Sequence, residues 1–276
     1  MKKINLVLSG GGARGFAHIG VIKELKKQGY EIVSISGSSM GALVGGLEAY
    51  NKLDEYEEWI TKQSLFEIIE LMNINIKDTF HNGFINLDFL YSTMKNKFGD
   101  INIEDMPIKF TAVATNLTTQ KEIWFQEGPF YEALKGSTAI PGTFSPLIKE
   151  NGDVIVDGGV LNILPIAPTL SSGIDITIAV DVNSNIFSTH KVTYSNNFLE
   201  KMWRGFFAKK DDIKSLSIDL MMNYIYNLRL YEYKPDILIQ IPKTIANTFD
   251  FHKHSEIIKI GQIITKEVLE NENFID

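Results

Sequence analysis

No cysteine occurs among the 276 residues. Disulfides, thiolate metal sites and cysteine nucleophiles are therefore excluded. No apolar run approaches the roughly 18 residues that a membrane span requires. The stretch Ile4 to Leu8 follows two lysines but is too short for the core of a signal peptide, so a cytoplasmic protein is expected. A basic excess is also missing: 27 Lys and Arg face 34 Asp and Glu, a net charge of −7. Nucleic acid is not an expected partner, because phosphate binding needs a basic footprint. Internal repeats and low-complexity linkers are absent. A single domain over 1–276 is expected, with the polar stretch around 183–212 as a candidate mobile loop or lid.

Apolar residues make up 44% of the chain, enough for a sizeable core. The N-terminal quarter reads strand, glycine loop, helix, strand, turn, helix. Ile4 to Ser9 and Ile32 to Ile35 are predicted strands. Phe16, Ile19, Ile22 and Leu25 fall at helical spacing, and Met40 to Tyr50 begins a second helix. Such a βαβα order predicts an α/β fold whose mainly parallel sheet is covered on both faces. Later strands are predicted at 110–114, 122–125, 154–156, 174–182 and 237–241, and helices at 87–98, 214–230 and 252–269.

Three glycine-bearing motifs stand at predicted strand ends. Gly10-Gly11-Gly12-Ala13-Arg14-Gly15 follows the first strand. Gly37-Ser38-Ser39-Met40-Gly41 joins the second strand to a helix, the context in which G-x-S-x-G lifts a serine hydroxyl above the sheet edge. Asp157-Gly158-Gly159 closes a short apolar strand, read as ending at the ligand-binding carboxyl edge of a parallel sheet. Each motif alone is weak; chance co-occurrence of all three is about 0.001. The first loop lacks the features of a dinucleotide site, since the only nearby acid, Glu31, begins the second strand instead of ending it. No Gly-Lys-Ser/Thr follows it either, so it is not a P-loop. An oxyanion formed when Ser39 attacks a carbonyl is the better occupant. Arg14 has two readings: a cation facing that anion, or a solvated or carboxylate-paired surface residue.

Activation of Ser39 leaves two routes. A triad would run Ser39, Asp157 and then His252 or His254. Those histidines sit in polar company, His252-Lys253-His254-Ser255-Glu256, which predicts a solvated helix start. A Ser39–Asp157 dyad needs a dry site to raise the basicity of an acid whose reference pKa is near 3.9.

The three motifs, with Ser137 to Pro146 (STAIPGTFSP) and Asp250 to Gln262 (DFHKHSEIIKIGQ), resemble the compact bacterial members of the patatin-like phospholipase family. Gly159 stands where many members have Ala. The resemblance implies a three-layer α/β/α sandwich, Ser39 as nucleophile, Asp157 as proton acceptor and no catalytic histidine. It implies an oxyanion hole in the Gly10–Gly15 loop, with Gly11 and Gly12 as donors. The implied substrate is a phospholipid, lysophospholipid or neutral lipid ester, cleaved without metal or organic cofactor. A non-enzymatic lipid-binding module with the same fold, and a Ser–Asp–His hydrolase or acyltransferase, are the competing readings. Finally, 197–214 mixes Phe198, Met202, Trp203, Phe206 and Phe207 with Lys201, Arg204, Lys209 and Lys210. It is read either as a lid or peripheral membrane contact, or as a core-packed helix with a solvated face.

Overall fold

Strand β1 (Lys2–Leu8) begins with two exposed lysines and is then buried at every position from Ile4 to Leu8, apolar except at Asn5, as a strand covered on both faces must be. In the computed structural model it lies inside an eight-stranded sheet. The structure describes residues 2–72, 85–174, 176–187, 189–195, 197–206 and 213–272. Strands β2 (Tyr30–Ser38), β3 (Lys109–Asn116), β4 (Lys121–Phe125), β5 (Leu147–Ile148), β6 (Val154–Asp157), β7 (Thr177–Ser184) and β8 (Ile237–Pro242) complete it. The order is β5-β6-β3-β2-β1-β7-β8, with β4 also paired to β3. Pairings from β3 through β2, β1 and β7 to β8 are parallel; those of β4, β5 and β6 are antiparallel.

The pleat sorts side chains between two cores. Ile4, Leu6 and Leu8 of β1 enter the larger one, and Val7 enters the smaller one on the opposite face. The larger core is covered by α1 (Ala17–Lys27), α2 (Met40–Ala49), α3 (Leu53–Ile60), α5 (Asp88–Phe98), α6 (Phe130–Ser137) and α9 (His254–Glu272). The smaller core is closed by the segment holding Leu164 and Ile166 and by α8 (Ile213–Glu232). A three-layer α/β/α arrangement results, as expected. Helices α1 and α9 meet at glycine: a Cβ on Gly20 would lie 2.0 Å from the Ile258 carbonyl oxygen, and one on Gly261 2.2 Å from that of Ala17.

The predicted strands and helices fall within a few residues of observed elements. Three helices escaped the sequence reading: α3, α4 (Leu65–Leu71) and α6. One of them carried a readable signal. Ser64 and Glu67 form a capping box in which the Glu67 carboxylate accepts the Ser64 N–H at 2.7 Å. The direction of β6 also differs from the expectation. It runs antiparallel to β3, so Asp157 does not end a parallel strand. Of the stretch 183–212, Asn183 and Ser184 finish β7, and Phe198–Phe206 form helix α7. Residues 188, 196 and 207–212, with Phe207, Lys209 and Lys210, lie outside the described residues.

Candidate active site

Strand β3 brings the serine and the acid together. Its Val113 stands in register with Ser38 on β2, and its next residue, Ala114, with Asp157 on β6. The serine following Ser38 and the last residue of β6 thus meet at one place.

Ser39 occupies φ 54°, ψ −125°, a left-sided backbone conformation that costs a non-glycine residue about 1–3 kcal/mol. Sharp turning of this kind is what the flanking glycines permit. A Cβ on Gly37 would fall 2.4 Å from the Gly41 carbonyl carbon, and one on Gly41 2.2 Å from the Leu8 carbonyl oxygen. Ser38 is buried behind the turn, against Gly158. Met40 starts α2 and lines the pocket beside Ser39.

The acid is dry. Asp157 is buried, and Oδ1 accepts the Gly159 N–H at 2.7 Å. Burial pushes its carboxyl up to about 6, opposed by the Ser39 hydroxyl and the Gly159 N–H. Oδ2 nevertheless makes no hydrogen bond of full geometry. The Ser39 hydroxyl is therefore near it but loosely aligned, as catalytic contacts commonly are without substrate. Gly158 and Gly159 let the chain turn under the acid.

The glycine loop flanks the same hydroxyl. A Cβ on Gly10 would lie 3.1 Å from Ser39 Cβ. The Gly10 N–H donates to the Ile163 carbonyl at 3.0 Å and the Ala13 N–H to that of Thr248 at 2.8 Å. Gly11 and Gly12 donate to no acceptor among the described residues, so theirs are the N–H groups left for a ligand. Gly12 itself lines the pocket, and Gly15 packs against Met40.

Arg14 follows neither of its sequence readings. It is buried, and its guanidinium donates to the Val182 carbonyl at 3.0 Å, Asn183 Oδ1 at 2.7 Å, and the Ala246 carbonyl and Thr248 Oγ1, both at 3.3 Å. The planar fork ties the loop to β7 and to the chain before α9, so its role is to brace the loop.

The expectation of solvated histidines is also corrected. His254 is buried: Nε2 donates to the Gln63 carbonyl at 3.0 Å, and Nδ1 accepts the Ser255 N–H at 2.8 Å. His252 Nε2 lies 3.5 Å from Glu200 Oε1. Burial lowers the pKa of both rings. Glu200 from α7 supplies the cover that the local sequence does not reveal. His18, in α1, is wholly buried, held to about 4 by burial, with Nε2 on the Ser9 carbonyl at 2.8 Å. None of these three partners Ser39 or Asp157.

The pocket above Ser39 opens to solvent and, with the solvent space at its mouth included, holds about 660 Å³ of empty space. Its wall comes from two helices absent from the sequence-based expectation, with Tyr56 and Ile60 of α3 and Ile68 and Leu71 of α4, and from the expected α5 with Leu90 and Tyr91, together with Phe144 and Phe251. Among the described residues, no charged side chain lines it. An acyl chain fits that chemistry; a phosphate or a sugar does not.

The family model described as patatin-like phospholipase matches residues 6–170. An uncharacterized NTE family protein of Mycobacterium bovis is 29% identical, over 97% of this chain and 91% of its own. Lysophospholipase NTE1 of Meyerozyma guilliermondii is 29% identical over 96% of this chain, which spans 19% of the fungal protein. That of Saccharomyces cerevisiae is 28% identical over 94% of this chain and 16% of its own. Among solved structures, VipD from Legionella pneumophila superposes with a TM-score of 0.53 at 15% identity, over 98% of this chain and 67% of VipD. That likeness concerns the fold.

Proposed function

The chain belongs to the patatin-like phospholipase family, and from that premise we propose that it is a lipid acyl hydrolase working through a Ser39 acyl-enzyme. The observation that carries this reading is the strained Ser39 elbow, set beside a buried Asp157 and beneath an apolar pocket. Ser39 Oγ attacks the ester carbonyl carbon, and the Asp157 carboxylate takes the hydroxyl proton. The oxyanion rests on the N–H groups of Gly11 and Gly12. As the intermediate collapses, Asp157 returns the proton to the leaving alcohol. Water then gives a proton to Asp157 and attacks the acyl-enzyme; as the bond to Ser39 breaks, Asp157 passes that proton to Ser39 Oγ and the fatty acid leaves.

The uncharged pocket supports recognition of the acyl chain, with the head group left outside. The fungal relatives' name supports a lysophospholipid, a single-chain ester that one narrow apolar pocket can hold. Peripheral contact with a lipid surface is part of the proposal. Trp203 of α7 turns inward, joining the buried cluster of Ile68, Met72, Ile85 and Phe144 and donating to the Phe249 carbonyl at 2.7 Å, but Phe198, Leu199 and Met202 face outward beside Lys201 and Arg204. No helix among the described residues is long and apolar enough to cross a membrane.

The test is hydrolysis of a short-chain nitrophenyl ester, then of lysophospholipid, diacyl phospholipid and triacylglycerol at matched acyl chains. Ser39→Ala should fall by about 10³-fold or more while its melting temperature holds. A folded Ser39→Ala variant that keeps more than a few per cent of wild-type turnover ends the reading.

A further inference from the structure

The resting position of Ser39 must be enforced, because its backbone is strained and relaxation would carry the hydroxyl away from Asp157. Its carbonyl is used inside the helix start, accepting from Ala42 and Leu43. Its N–H is held from outside by one side chain. Ser137 Oγ, fully buried at the end of α6, accepts the Ser39 N–H at 3.0 Å and donates to the Val113 carbonyl at 2.7 Å. The hydroxyl thus has its proton and a lone pair both committed, and it welds the elbow to β3. Two residues on, the Ala139 carbonyl accepts the Asp157 N–H at 3.0 Å. Between them, Thr138 lines the pocket and is fixed by its hydroxyl contact with Tyr91, 2.5 Å away, and by its bond to the Leu134 carbonyl. Residues 137–139 therefore touch the serine, the pocket and the acid in succession.

We propose that Ser137 is a positioning residue for the Ser39 nucleophile, and that residues 137–139 form a strap fixing the Ser39–Asp157 spacing. The proposal rests on the reading of those two residues as the catalytic pair. It has a second consequence. The Ser39 N–H is spent on Ser137 and is not an oxyanion donor, so that duty stays with the glycine loop.

The experiment compares the full-length wild type, Ser137→Ala and Ser137→Cys. In ¹⁵N-labelled protein, exchange of the Ser39 amide should accelerate about 10- to 100-fold in Ser137→Ala, the range expected for one buried hydrogen bond, while other α2 amides stay protected. The rate of fluorophosphonate labelling at Ser39 and kcat on a nitrophenyl ester should fall by about the same factor, with KM within about twofold. A merely structural role would not move the pH profile. The Ser39 hydroxyl opposes the burial that raises the Asp157 pKa, so a loosened Ser39 shifts the acid limb of kcat/KM to higher pH. Ser137→Cys keeps the volume but weakens both bonds, so it stays folded and shows smaller losses in the same direction. Unchanged Ser39 amide exchange in a folded Ser137→Ala protein overturns the proposal whether or not the wild type turns over. An inert, unlabelled wild type instead overturns the hydrolase reading, and the amide comparison still decides on Ser137.

Discussion

From Ser34 through Ala49 every residue is buried, and even Ser39 is only 4% exposed. Along α8 the opposite holds. Ile213, Leu220, Tyr224 and Tyr231 recur at helical spacing on one side, with Leu220 70% and Tyr231 93% exposed. Its other side is anchored: Tyr226 donates to Asp181 at 3.0 Å, and Arg229 pairs with Glu122. The first region gains rigidity from internal partners. The second keeps apolar surface that no other described residue of the chain covers. In the proposed mechanism the former holds the nucleophile to its acid, and the proposed capture of substrate from an aggregated lipid phase suits the latter.

The largest expected break in that contrast is Asp157→Asn. The amide is nearly isosteric and can still accept the Gly159 N–H, but it cannot take the serine proton. Turnover and fluorophosphonate labelling should fall about 10³-fold or more. In the wild type, kcat/KM should lose activity below a midpoint near pH 6, where the carboxyl that burial pushes up to about 6 becomes protonated. Stability should move the other way. Between the ordinary carboxyl pKa and 6 the native state binds more protons than the unfolded chain, so stability falls as pH rises through that window. Asp157→Asn removes this cost and should be about 1–3 kcal/mol more stable than wild type at pH 7.5, with the gap closing by pH 4. Urea titrations at the two pH values measure it. An Asn variant no more stable at pH 7.5 would mean that burial does not raise the Asp157 carboxyl.

Arg14→Met comes next. It deletes four donated bonds and leaves the Val182 and Ala246 carbonyls buried without their partner. A loss of about 2–4 kcal/mol is expected. Arg14→Lys should recover little, because one ammonium cannot reproduce the planar fork. If Arg14 faced a substrate anion instead, both variants would raise KM and leave the urea midpoint unchanged.

These two residues also mark what the sequence made legible. The motif spacings around Gly10, Gly37, Gly41, Ser39 and Asp157 reflect close backbone approach, which is local and therefore readable: Gly41 is glycine because Leu8 leaves no room. Arg14 was named but misread, because its acceptors come from β7 and from 246–248, more than 160 residues away. Ser137 opens a stretch that marks the family resemblance, but nothing local assigns it a role, since a buried hydroxyl looks like any other serine until β3 and the elbow close on it. The direction of β6 was hidden because four residues have no directional signature. His252 and His254 looked solvated because Lys253, Ser255 and Glu256 surround them, whereas Glu200 and Gln63 bury them from elsewhere.

The exposed arm gives a smaller effect. Replacing Phe198, Met202, Leu220 and Tyr224 together by Ser should weaken binding to anionic phospholipid vesicles about tenfold or more and lower hydrolysis of vesicular substrate. Turnover of a dissolved nitrophenyl ester and the melting temperature should hold, since these side chains point outward. Trp203→Ala should do the reverse, destabilising through the cavity left in its buried cluster and the lost bond to the Phe249 carbonyl. Equal vesicle binding by the quadruple variant would remove the lipid-surface reading of α7 and α8.

The smallest effect separates structural from chemical histidines. His252→Gln and His254→Gln, singly and together, should leave fluorophosphonate labelling and kcat within about tenfold, a barrier change of about 1.4 kcal/mol. A histidine acting as general base could not be removed so cheaply, because that role contributes about 10²–10⁴-fold. The consequence should appear in stability against pH. Burial lowers both ring pKa values, so the unfolded chain binds more protons between the folded value and the ordinary one near 6.5. Native stability is therefore lost as pH falls through that window, opposite in sign to Asp157. The double variant should show a shallower decline of melting temperature from pH 7 to pH 5 than wild type. A folded variant that instead lost catalysis by several hundredfold would place a histidine at the reacting atoms, and Asp157 would then be the residue that orients it.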